Sequence, residues 1–110
     1  MENTRKIRQN EIDLVHFLLR ELEMAVEEHM LPDIVHEYEG GVMGSISFQL
    51  TENPQYAGDL IQVRYVDTDS VPVIITLTHD VDGKLLDLDF WKEDFSKLLR
   101  YPTPEEIELL

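Results

Sequence analysis

No cysteine occurs among the 110 residues, which excludes disulfides, thiol nucleophiles, thiolate zinc sites and iron–sulfur ligation. That absence says nothing about redox compartment. Positive charge is scarce as well: nine Lys and Arg stand against 23 Asp and Glu, a formal charge of -14. No Lys or Arg lies between Arg20 and Arg64, a span that holds nine carboxylates. A field of that sign repels phosphate backbones and anionic bilayers, so neither nucleic acid nor a membrane surface is an expected partner. A basic protein partner is the expectation instead, and the plainer alternative is that the acids only keep the chain soluble. No apolar run approaches the ~20 residues that cross a bilayer. The opening segment carries Arg5, Lys6 and Arg8 without the continuous apolar stretch of a signal peptide, so a cytoplasmic address is the default.

What is present is an ordinary core. The hydrophobic fraction of 43% belongs to a folded protein. The length suits a single domain over residues 1–110, which on folding buries roughly 65% of the extended chain's surface. Asn10 reads as an N-cap with Glu11 and Asp13 in the first turn. From there Ile12, Val15, Leu19, Leu22 and Val26 recur at helical spacing, widened by Leu18 and Ala25, for a helix of about five turns that Pro32 stops.

The remainder reads as strands. Ile34–Tyr38 is short, Glu39-Gly40-Gly41 is a turn, and Gly44–Leu50 alternates with Ile46, Phe48 and Leu50 inward. Thr51–Gly58 reads as a surface loop. Leu60–Val66, Val71–Thr78 and Leu85–Trp91 follow, separated by Asp67-Thr-Asp-Ser70 and by the hairpin signal Asp82-Gly83. Phe95, Leu98 and Leu99 fit a short helical or irregular segment packing back on the sheet, and Pro104 can open a last helical turn. The expected fold class is α+β: one long N-terminal helix on one face of a mainly antiparallel four- to five-stranded sheet, with a short C-terminal helical segment.

The densest functional pattern is Leu85–Ser96. Strand alternation puts Leu86, Leu88 and Phe90 on one face and Asp87, Asp89 and Trp91 on the other. Two carboxylates beside an indole make either a wet sheet face or the edge of a recognition surface. The pair stands about 6–7 Å apart along the strand, so acid and base work of a hydrolase is conceivable, although nothing else marks a sugar cleft. His79, Asp80 and Asp82 form the most metal-like local cluster, but no His-Glu-x-x-His and no calcium-loop pattern accompanies it. Asp67 and Asp69 belong to the opposite end of the intervening strand. Ser45 and Ser47 have no identifiable activating histidine, and the glycine-rich Gly40–Gly44 lacks the Lys-Ser/Thr of a phosphate loop. No cofactor and no metal is expected. The candidate binding residues are Asp87, Asp89, Trp91, Asp80 and Asp82, with Tyr38 and Tyr65 as further aromatic anchors.

Residues 41–48, Gly-Val-Met-Gly-Ser-Ile-Ser-Phe, and 87–96, Asp-Leu-Asp-Phe-Trp-Lys-Glu-Asp-Phe-Ser, together with the helix that begins near Glu11, resemble a small bacterial domain family of unknown function. The resemblance spans roughly Ile7 to Pro102 and implies no established activity and no catalytic residues. In type the chain is similar to the acidic immunity proteins of bacterial toxin systems. Two functions follow as expectations: a non-enzymatic acidic domain that engages a basic protein, or a structural domain that forms a homodimer through Ile74 and Trp91.

Overall fold

Val71–Thr78 is the most β-branched run in the sequence, and it becomes the middle strand of a three-stranded meander. In the computed structural model, which describes residues 3–38, 42–51, 53 and 55–110, seven strands form one antiparallel sheet. They are β1 (Thr4–Lys6), β2 (Ile34–Glu37), β3 (Ile46–Ser47), β4 (Tyr56–Val66), β5 (Pro72–Asp80), β6 (Leu85–Lys92) and β7 (Glu108–Leu109). Their order is β1-β2-β3-β6-β5-β4-β7. The meander β4-β5-β6 is its spine, with Val63 opposite Ile75 and Ile75 opposite Phe90. Val73, Ile75, Leu77, Leu86, Leu88 and Phe90 are buried as their alternation requires.

The single α-helix among the described residues, α1 (Gln9–Glu21), lays Leu14, Val15, Leu18 and Leu19 on that core. At 13 residues it is short, and with seven strands the fold is mostly β. The expectation of a long helix over four to five strands is therefore corrected. Glu23 ends the helix early by taking φ 56. Its N–H reaches the Arg20 carbonyl and that of Met24 the Leu19 carbonyl, the two bonds of a Schellman closure. Ala25 and Val26 keep the apolar spacing but lie past that stop. At the other end the chain enters at Arg8, not Asn10, because the Glu11 carboxylate folds back onto the Arg8 N–H at 2.8 Å. Glu11 is itself buried, held by a two-bond fork from Arg5 at 2.9 and 2.6 Å.

The two strands that sequence patterning misses, β1 and β7, are edge pieces of three and two residues, the first Thr-Arg-Lys and the second an exposed Glu-Leu pair. Such segments are strands because of what they pair with, not because of their own alternation. β4 begins at Tyr56, inside the expected loop, since register shifts at Tyr56/Gly58 and Asp59/Ile61 scramble its period. Only Ile46–Ser47 of the expected Gly44–Leu50 strand is paired as a strand, and Leu50 is exposed. The expected turn at Glu39-Gly40-Gly41 lies outside the described residues. No helix forms around Phe95–Leu99; the C-terminal helical segment shrinks to one 3-10 turn at Pro104–Glu106, where the Glu106 carboxylate accepts the Thr103 N–H at 2.9 Å. No helix of the described residues is long and apolar enough to cross a membrane.

Lys92 continues the core row beyond Phe90 and is fully buried. Its ammonium donates to Asp67 at 3.0 Å, to Asp69 at 2.7 Å and to the Lys97 carbonyl at 2.9 Å. Asp67, also buried, accepts the N–H groups of Thr68, Leu99 and Arg100. This ion pair ties the chain after β6 to the β4–β5 turn. Desolvation pulls the Lys92 pKa down, but the hydrogen bonds to Asp69 and Asp67 outweigh it and leave the pKa raised. Desolvation likewise pushes Asp67 up, and the Leu99 and Thr68 amides with Lys92 more than reverse it.

Candidate binding groove

The face of β6 turned away from α1 carries Asp87, Asp89 and Trp91, and the register sets Ser47, Thr76 and Ile74 beside them. Tyr38, one residue beyond β2, reaches over to give its O–H to Asp87 Oδ1 at 2.8 Å. Ser45 Oγ accepts the Phe90 N–H at 2.8 Å, and its O–H lies 3.2 Å from both Asp89 Oδ1 and the Phe90 carbonyl oxygen. Tyr38, Ser45, Asp87, Asp89, Phe90 and Trp91, with Met43 and Phe95, line a groove of about 490 Å³. Its floor is polar and its rim aromatic.

The rim is set by a tight turn after β6. The Phe95 N–H closes on the Lys92 carbonyl at 2.9 Å, and Phe95 takes φ 61. Asp94 Oδ1 accepts the Ser96 N–H at 3.0 Å. This geometry stands the Phe95 ring, 67% exposed, edge-on to Trp91, 44% exposed, with centroids 5.8 Å apart. The same three-residue closure recurs at Asp67–Ser70 and Asp80–Gly83, where Ser70 and Gly83 hold the positive φ. Three turns of one kind thus bound the meander.

Electrostatics distinguish Asp87 from Asp67, Asp80, Asp94 and Glu106, whose pKa values are lowered. Burial pushes the Asp87 pKa up, against the hydrogen bonds from Tyr38 and Ser47, and the neighbouring Asp89 charge adds to the rise. Tyr38 is pushed up to about 12, first by its own burial and then by its bond to Asp87. A cation placed beside such a group favours its charged form.

Of the sequence candidates, Asp87, Asp89 and Trp91 converge here. Asp80 and Asp82 do not; they sit at the far end of β6, about 10 Å along the strand from Asp87 and about 20 Å from Trp91. Asp80 is buried and organises the β5–β6 turn, its Oδ1 accepting the N–H groups of Asp82 and Lys84 and its Oδ2 the Gln49 amide at 2.8 Å. The Gln49 bond, then the Lys84 amide, lowers its pKa. Asp82 is an exposed turn residue. His79 places Nδ1 2.9 Å from the Asp80 carbonyl oxygen. Among the described residues no group of three or more His, Asp or Glu could hold a metal ion. Tyr65 is buried, with its O–H on the Arg100 carbonyl, and is a core residue. Sequence reasoning missed Met43, Ser45 and Phe95. Alternation turns Ser45 outward with Ser47, but nothing local pairs it with Phe90 across 45 residues, and nothing in the sequence marks Phe95 as exposed.

No curated protein and no solved structure matches the chain. A family does match, over residues 4–102, so that all of the groove's side chains fall within it while the last turn and β7 lie beyond. The chain belongs to the family described as a domain of unknown function, DUF6984.

Proposed function

We propose that the chain is a non-enzymatic binding domain that takes a basic protein surface on the β6 groove, in the manner of a cytoplasmic bacterial immunity protein holding a toxin. One observation carries this proposal: Asp87 and Asp89 share a groove with three partly exposed aromatic rings on the sheet face opposite α1. Net charge of -14 speeds encounter with a cationic partner, and the rings supply the desolvated anchor that holds it. The test is capture of partners from the native host at low and high salt, with Asp87→Asn/Asp89→Asn as the comparison. The expected partner is basic, survives moderate salt and is lost in the double variant. Retention of the same partner by that variant would sink the proposal.

A second function, self-association, is favoured by the cross-strand pair Ile74 and Trp91 on the same face. Light scattering separates the two, since the binding-domain proposal requires a monomer with the groove vacant at high micromolar concentration.

A further inference from the structure

We infer that the groove accepts an arginine side chain of the partner, its guanidinium plane laid on the Trp91 indole beside Phe95 and its N–H groups turned to Asp87 and Asp89. This rests on the basic-partner function proposed above and narrows it to one residue type.

Three features select guanidinium over ammonium. The groove offers a carboxylate floor and an aromatic wall together, and a planar fork with five donors satisfies both at once. An ammonium has no plane to stack while it donates. Asp87 is half-buried, with its pKa raised by that burial. Guanidinium, being weakly hydrated, gives up less on entering such a site than a compact ammonium does. Finally, the wall is held in place at a cost. Phe95 occupies left-handed backbone at φ 61 and leaves its ring 67% exposed. The sister turns fill that position with Ser70 and Gly83, small residues with no ring to display. A bulky ring in that conformation contributes little to the core, but it sets a second aromatic ring beside Trp91.

The experiment is calorimetric titration of the full chain with hexa-arginine, hexa-lysine and hexa-citrulline peptides at low and high salt. It is repeated on Trp91→Leu, Phe95→Ala and Asp87→Asn/Asp89→Asn, each first verified as folded by its amide spectrum. The arginine peptide is expected to bind about tenfold tighter than the lysine peptide, because only the planar guanidinium stacks and donates at once. The citrulline peptide should not bind. Both Trp91→Leu and Phe95→Ala should shrink the arginine margin, and the double Asn variant should lose both basic peptides. Equal affinity for arginine and lysine peptides, lost in the double Asn variant, overturns the arginine assignment and leaves the basic-partner function standing. Binding undiminished in the double Asn variant, or no binding of either basic peptide, overturns both.

Discussion

A charge buried among apolar side chains destabilises a fold by several kcal/mol unless it is met in kind, and Lys92 is met by two carboxylates and a carbonyl. Removing Asp67 strands that ammonium with the one-third-exposed Asp69 and frees the Leu99 and Arg100 amides. Asp67→Ala should therefore lose about 3 kcal/mol in urea unfolding, the low end for breaking a buried pair because Asp69 remains. The pH signs at this site and at the groove are opposite. Asp67 has a lowered folded pKa, so its contribution is complete above the ordinary carboxylate range and disappears as pH falls through the folded value. Asp87 has a raised folded pKa, so the folded state holds its proton more tightly, and ionising it withdraws stability as pH rises from the ordinary carboxylate value through the raised one. Asp87→Asn should thus be neutral or stabilising at neutral pH in the same urea assay. A clear loss of stability would show that Asp87 is there for the fold rather than for a ligand.

At the scale of elements, the three turns that bound the meander share one backbone closure and place different residues at the positive-φ position. Gly83 suits it, Ser70 tolerates it, and Phe95 is the poorest choice of the three. Phe95→Gly should raise stability by about 1 kcal/mol on thermal unfolding, and Gly83→Ala should lower it by a similar amount. A destabilised Phe95→Gly would mean that the ring packs as a core residue. These elements also show what patterning can reach. Val73, Ile75 and Leu77, then Leu86, Leu88 and Phe90, announce the meander by strict alternation, and Asp87, Asp89 and Trp91 follow as its other face. The stop at Glu23 is illegible because a residue without special φ preference takes the place of glycine, while Ala25 and Val26 continue the helical spacing. β1 and β7 are too short to show a period, and the bulges of β4 erase one. Phe95 reads as apolar and hence as core, since no local signal tells a docked ring from a displayed one.

For the molecule as a whole, charge and architecture point the same way. The helix and the Lys92 pair consume one face of the sheet, and the opposite face gathers carboxylates, hydroxyls and rings around one groove. A strongly acidic chain should stay monomeric as long as that face is vacant, and added salt should slow association with a basic partner more than it speeds dissociation. The measurement that bears most directly on this account is amide mapping by two-dimensional NMR of the labelled chain titrated with hexa-arginine. The account predicts that the perturbed amides cluster at Tyr38, Ser45, Ile74–Thr76 and Asp87–Ser96. Perturbations spread evenly over the acidic surface, or centred on α1, would contradict it.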